Sequence, residues 1–544
     1  MIGLEPTTSA SRTLRATNCA TPRYKHILQQ RGEKFKIDLK KRTYYNIIMK
    51  REKMLSVFAP IIAGALFLVF SMLNLNSSIW FDESYSAYLV RGDFSQIWHE
   101  TSMDVHPPFF YFALKIWSSI FGTTDISMRF MSIFFGLIAI IFLYQLLKRW
   151  FGVKPAAIAT IVASVSPMLI RYGQEMRMYT MVLMIVFIAT YFLSLALEKG
   201  TKREGRKYWI IYAVLVSIGM WTHYFSAFMW LSQFIAIIIF FGGPKKIFKD
   251  KEKLKTILLT YVLAILLFLP WIPSFFNQVK TVQQGFWIPA MSFETTADFV
   301  SSALFFNKAQ EVTSWGLVFG LLLVFFAVLA YKKILKNVDK KIKSKIGFIA
   351  MMAFTPILVM MTLSLPPLTS SFVDRYVLYS IVSVWVLFGL GVALVKEKWI
   401  KGILAILIII VATFGIVFVT NREPRGYVKE IMAEVFVTAE EGEPIIAGDV
   451  WTYYDGVFYT SEEHPVYLFN EVVNYEYGSL EPIRDYRVNL VDNAEEFLGE
   501  HEKVWYVTNR PEEGKELELP ERFSEFRVVS DISLDHHVAV ELSR

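Results

Sequence analysis

Trp80-Phe81-Asp82-Glu83-Ser84-Tyr85, followed about twenty residues later by Asp104-Val105-His106-Pro107-Pro108, decides how the rest of the chain is read. The first fragment comes directly after a long apolar run, at roughly 55–75. Its two adjacent carboxylates, and the Asp and His behind them, stand out in a 544-residue chain that is 54% hydrophobic and 16% aromatic. Mean hydropathy is +0.40. That is too apolar for an ordinary soluble protein, and repeated apolar runs of about twenty residues read as membrane spans. The sequence therefore predicts a multi-span α-helical membrane protein with a polar loop over residues 76–125.

Working outward, spans are expected at about 55–75, 127–147, 154–171, 178–197, 208–223, 225–242, 256–276, 313–331, 346–365, 374–395 and 400–420. The stretch 107–122 is apolar but short for a span and contains Lys115, so it is placed in the membrane interface. Loop charge tests this arrangement of eleven spans with the N-terminus inside. The clusters at 148–154, 199–207, 245–255, 332–345 and 396–401 fall on the inside, and the loops at 76–125, 172–177, 277–312 and 366–373, poor in Lys and Arg, fall outside. Were 107–122 to span, every later loop would change sides and the bias would be inverted. The net charge of +7 thus reports membrane orientation rather than a nucleic-acid partner.

The two ends differ from this body. Residues 1–24 show no apolar periodicity and no signal-peptide core. They read equally as a cytoplasmic tail or as a product of an upstream start codon, with Met49 or Met54 the expected start. Residues 1–54 are set apart from a membrane domain at 55–420. From 421 the chain is acidic, with 28 Asp and Glu against 11 Lys and Arg. An amphipathic helix at 427–439 and short β-branched or aromatic runs at 444–447, 466–469, 504–507 and 537–542 predict a small extracytoplasmic α/β domain at 421–544. The stretch 451–456, Trp-Thr-Tyr-Tyr-Asp-Gly, reads as a strand and turn. Cys19 is the single cysteine, which excludes an internal disulfide and a cysteine metal cluster and fits a prokaryotic chain.

Charges at the end of a span are usually solvated and idle. Here Trp80, Phe81 and Tyr85 pin the loop to the membrane face, and Pro107 and Pro108 stiffen the chain just past His106. A carboxylate held partly desolvated can act as a general base towards a hydroxyl. Asp104 and His106 could ligate a divalent metal ion, although two residues fall short of a site. Arg375 and Arg177 lie at the outer ends of spans, where a guanidinium either snorkels to the interface or clasps phosphate oxygens. Glu175 either acts in the site or pairs with Arg177. His223 sits at a span boundary.

In this order, Trp80-Phe81-Asp82-Glu83, His106-Pro107-Pro108, Phe121-Gly122, Arg129-Phe130, Gln174-Glu175-Met176-Arg177-Met178-Tyr179, Thr222-His223-Tyr224-Phe225 and Asp374-Arg375-Tyr376 resemble the GT-C glycosyltransferases of the protein O-mannosyltransferase type. Prokaryotic relatives of that family include the aminoarabinose transferase that modifies lipid A. The resemblance covers about 55–420 and leaves the acidic tail unmatched. It implies a donor with one sugar on a polyprenyl phosphate, and inverting transfer to an acceptor hydroxyl (of a protein, lipid or envelope polymer) outside the cytoplasmic membrane. By resemblance, Asp82 and Glu83 are the catalytic pair, Asp82 the base and Glu83 its neighbour positioning the acceptor or loop, while Arg375, Arg177 and Tyr376 hold the donor phosphate. Asp104, His106, Glu175, Tyr179, Arg129 and His223 position the acceptor or the loop. Relatives can carry a histidine metal ligand where this chain offers Asn277 and Gln278, which weakens the expectation of a bound metal. Trp271-Ile272-Pro273 and the loop 278–310, with Phe286 and Trp287, either cover a lipid or form an interfacial belt.

Two other classes compete. An oligosaccharyltransferase would need a Trp-Trp-Asp motif, for which 451–456 has the wrong spacing. A transporter or flippase would place its charges near the middle of spans rather than at one face.

Overall fold

The computed structural model describes residues 49–241, 243–283, 288–422, 426–460, 462–473, 479–510, 517–534 and 537–544. The expected N-terminal tail with Cys19, and Phe286 and Trp287 of the expected covering loop, lie outside the described residues. Residues 59–544 form one compact unit.

A helix lies over each of the eleven expected spans. Eight are long and apolar enough to cross a membrane: Met49–Met72, Asp125–Phe151, Tyr179–Lys199, Lys251–Gln283, Ser314–Asn337, Lys340–Leu363, Asp374–Leu394 and Lys398–Asn421. A ninth exists if Val153–Ser164 and Pro167–Gly173, bent by 61°, count as one broken span. The remaining two are Arg203–Thr222, which opens on a charged turn, and Ser226–Phe240, which has only 15 residues. The chain is a multi-pass membrane protein.

Three short helices follow the first span: α1 (Phe81–Leu89), α2 (Phe94–Met103) and α3 (Phe109–Phe121). α2 starts at a reciprocal capping box, in which Asp93 accepts from the Gln96 N–H and Gln96 accepts from the Asp93 N–H, both at 2.8 Å. α3 has 13 residues, too few to cross. It buries Phe110, Tyr111 and Leu114 and exposes Ile116, Ile120 and Phe121, so it is apolar on both sides, as a helix lying between protein and lipid must be.

The tail folds as a six-stranded mixed sheet: β1 (Ile445–Ala447), β2 (Val466–Phe469), β3 (Leu490–Val491), β4 (Lys503–Asn509), β5 (Arg527–Leu534) and β6 (His537–Ser543), in the order β3-β2-β1-β4-β6-β5. β1, β2, β3 and β4 pair in parallel, whereas β6 runs antiparallel to β4 and β5. Four of the strands and the helix α4 (Val428–Thr438) coincide with sequence expectation.

The stretch 451–456 does not. It lies inside a helix, α5 (Val450–Tyr459), capped by Asp449, whose side chain accepts from the Thr452 N–H at 2.8 Å. Tyr453, Tyr454 and Val457 all turn inward. Their packing against α1 and the sheet outweighs the strand preference of a Trp-Thr-Tyr-Tyr run. The ring of Tyr454 lies 5.7 Å from Phe81, 5.6 Å from Tyr85 and 4.9 Å from Tyr88. The tail domain is thus seated on the helix that carries Asp82.

Candidate active site

Asp82 and Glu83 occupy the first turn of α1, where the exposed N–H groups and the helix dipole favour negative charge. One residue apart on a helix, they point about 100° from one another, and the structure gives them different surroundings.

Glu83 is fully buried. Both its oxygens meet Arg129, at 2.8 Å from Nε and 2.6 Å from Nη2, and Oε1 also accepts from the Met176 N–H at 2.9 Å. Arg129 donates further to the carbonyls of Leu75, Ser77 and Ser78 at 2.7, 2.6 and 3.1 Å. It therefore satisfies the backbone leaving the first span while neutralising Glu83. Gln174 completes this fastening by donating to the carbonyls of Phe70 and Leu73 at 3.2 and 2.6 Å.

Asp82 is partly open. Its side chain is 20% exposed, and Oδ2 lies 3.8 Å from Arg177 Nε and 3.6 Å from Arg375 Nη2. These are charge contacts rather than tight hydrogen bonds. Arg177 is anchored instead by Nη1, which donates to the Asp82 carbonyl and to Ser86 Oγ, both at 3.0 Å. Burial opposes its charge, but Asp82, then Tyr111 and Tyr179, outweigh burial and hold its pKa well above the ordinary arginine value. Arg375 lies over the rings of Trp80 at 5.7 Å and Tyr376 at 5.8 Å. The two guanidiniums thus converge on one carboxylate from different spans.

Behind them stands an aromatic wall. Tyr376 stacks on Phe225 with centroids 4.9 Å apart and lies 4.9 Å from His223, while Tyr179 lies 6.0 Å from His223 and 6.3 Å from Tyr376. His106 Nε2 lies 3.5 Å from Arg177 Nη2, and His106 Nδ1 lies 3.3 Å from Asp104 Oδ2. Beyond His106, His223 and Tyr376 opens a cavity of about 490 Å³, lined mostly by apolar groups such as Phe228, Phe275 and Val282.

Of the residues singled out in the sequence, Asp82, Arg177, Arg375, Tyr376, Tyr179, Asp104, His106 and His223 gather in this one place. Glu83 and Arg129 form a closed pair beside it. Glu175 does not pair with Arg177: it pairs with Arg171, four residues earlier, both of them buried. Arg171 was missed in the sequence, although an arginine between Ile170 and Tyr172 at the end of an apolar run is itself a signal. Asp374 was quoted only within a motif. Its Oδ1 accepts from Tyr172 Oη at 3.3 Å and from the Arg375 N–H at 2.6 Å, which fixes the turn presenting Arg375.

The Asp104–His106 pair fits a metal ion poorly. Among the described residues no third His, Cys, Asp or Glu joins it within metal-ligand reach. The second ring nitrogen of His106 faces a guanidinium, whose charge opposes a cation there.

Residues 105–273 match the family described as dolichyl-phosphate-mannose-protein mannosyltransferase. ArnT from Cupriavidus metallidurans in the apo state superposes with a TM-score of 0.56 at 12% identity, over 88% of this chain and 97% of that one. The same protein bound to undecaprenyl phosphate gives 0.56 and 12% over 89% and 97%. The chain has the GT-C glycosyltransferase fold. No curated protein sequence matches it. In this GT-C chain the carboxylate, the two arginines and the mouth of the apolar cavity all lie at the loop end of the helices, and the matched segment holds Arg177, His106 and His223.

Proposed function

We propose that the chain transfers a single sugar from a polyprenyl-phosphate donor to an acceptor hydroxyl, with inversion at the anomeric carbon. The observation that carries this reading is Asp82, flanked by Arg177 and Arg375 beside His106 and Tyr376, which line an apolar cavity. A polyprenyl-phosphate sugar carries an apolar chain and a charged phosphate, and the site offers an apolar cavity for the first and two guanidiniums for the second.

In this reading the isoprenoid chain lies in the cavity beyond His223 and Tyr376. Arg375 and Arg177 take the phosphate oxygens, with Tyr376 beside them. Asp82 serves as base. Two guanidiniums face its carboxylate, and an opposite charge favours the ionised form and weakens a base. A donor phosphate competes for those guanidiniums, so donor binding strengthens Asp82 when the base is needed. The acceptor hydroxyl gives its proton to Asp82 as its oxygen attacks the anomeric carbon opposite the phosphate. The bond from that carbon to the phosphate oxygen breaks, and the arginines hold the charge that leaves with the lipid phosphate.

The match of residues 105–273 to a mannosyltransferase family that uses a dolichyl phosphate donor supports the donor class, as does the shared fold with an ArnT that binds undecaprenyl phosphate. The distribution of Lys and Arg among the loops supports a cytoplasmic-membrane protein with this site and the tail domain on the outer face. Radiolabelled sugar transfer from polyprenyl-phosphate-mannose or polyprenyl-phosphate-glucose, in membranes carrying the wild type or Asp82→Asn, tests the reading. Transfer that a folded Asp82→Asn variant loses would establish donor and base together. Transfer that survives the substitution would remove Asp82 from the role.

A further inference from the structure

A second cluster of potential ligands lies away from Asp82, where the tail domain meets the loop. His99 and Glu100 are adjacent on α2, and Asp485 projects from the helix α6 (Glu481–Tyr486) of the tail. One ligand atom from each of the three lies within 4.8 Å of the others. Glu100 is completely buried, and neither of its carboxylate oxygens has a hydrogen-bond donor among the described residues. Two carboxylates facing one another in this way need either a shared proton or a cation between them.

We propose that His99, Glu100 and Asp485 bind a transition-metal dication of the zinc or manganese class, which fastens the tail domain to α2. One imidazole nitrogen and two carboxylate oxygens make a donor set for such ions rather than for the all-oxygen sites of calcium or magnesium. An ion about 2.0–2.2 Å from each ligand asks for ligand atoms roughly 3–4 Å apart. His99 and Asp485 are exposed and can rotate to close that distance, while Glu100 is held by its burial.

The surrounding charge favours a cation. Glu481, on the same helix as Asp485, adds a third carboxylate near Glu100. Arg484 is engaged with Glu481 at 3.4 Å. Among the described residues no Lys or Arg pairs with Glu100 or Asp485.

The cluster sits on a fitted seam. Tyr486 Oη donates to the Leu89 carbonyl at 3.1 Å, and a Cβ on Gly92 would collide with the Tyr486 hydroxyl. The far side of α2 leads to the cavity, where Gln278 Nε2 donates to the Thr101 carbonyl at 2.6 Å. An ion here would brace α2 between the tail and the cavity wall.

The site does not depend on the transferase reading, and its test uses binding. The purified full-length protein, stripped with a chelator, is titrated separately with Zn²⁺, Mn²⁺ and Ca²⁺, with calorimetry and the thermal midpoint as readouts. One Zn²⁺ or Mn²⁺ per chain with a raised midpoint is expected, and both effects should weaken at least tenfold in Kd in His99→Ala and Asp485→Asn. These two exposed positions leave the fold intact if Glu100→Gln does not. Asp104→Asn should bind as the wild type does. Absence of stoichiometric binding would overturn the proposal and leave a shared proton between the carboxylates. Binding that survives both His99→Ala and Asp485→Asn, or that is lost in Asp104→Asn, would also overturn it.

Discussion

Glu83 and Arg129 form a closed two-point ion pair that ties the head of α1 to the head of the second span, with both side chains withdrawn from solvent. Asp82, the next residue back, instead faces two arginines at longer range. Two neighbouring carboxylates are thereby divided between holding the loop and facing the cavity.

Glu83→Gln should act on stability first. Removing one member of a buried pair leaves Arg129 uncompensated and costs about 3–5 kcal/mol. A clearly lowered thermal midpoint in detergent is expected. Asp82→Asn should leave the midpoint nearly unchanged while lowering transfer roughly 10²–10⁴-fold. Equal losses of stability in the two variants would contradict this division.

Arg375→Ala should raise the KM for the lipid-linked donor by tenfold or more, about 1.4 kcal/mol of binding. Arg375→Lys should recover part of the loss, because an ammonium keeps the charge without the planar fork. Donor kinetics identical to the wild type would take Arg375 out of the site.

Ala227 lines the apolar cavity, so Ala227→Trp should obstruct it. The KM should rise for a long-chain polyprenyl-phosphate donor and stay unchanged for a short water-soluble analogue. Equal effects on both would place the lipid chain elsewhere.

Asp455 gives a pH prediction. Burial holds its carboxyl well above the ordinary range, a shift that the hydrogen bond from Ser84 only partly offsets. The folded pKa exceeds the unfolded value, so the stabilisation is complete below about pH 4 and falls as pH rises towards the folded pKa. Asp455→Asn mimics the neutral form and should flatten that fall in a series of thermal midpoints against pH. An unchanged slope would show that Asp455 is not its source.

Much of the fold was legible because apolar length and charge bias are local properties of the chain. The expected spans fall on helices, and the shortness of 107–122 with its Lys115 set it apart from them, as its 13-residue helix does. The site was legible as a set of residues, since charges stand out in an apolar sequence. Their partners were not. Glu175 lies two residues from Arg177 and four from Arg171, and the turn of the chain just past Gly173 leaves it beside the second. The stretch 451–456 was misread because strand preference is local, whereas the α1 face that holds it as a helix lies some 370 residues away in sequence.

The contacts of α5 bear on biosynthesis. Tyr459 Oη accepts from the Ile79 N–H at 2.8 Å, and Asp455 meets Ser84, so a domain synthesised late supports a loop synthesised early. Arg375 too emerges only after most of the spans. A nascent chain therefore carries Asp82 through much of its synthesis without the parts that surround it in the folded protein. A ribosome that stops before α5 leaves Asp82 without the wall that α5 builds beside it.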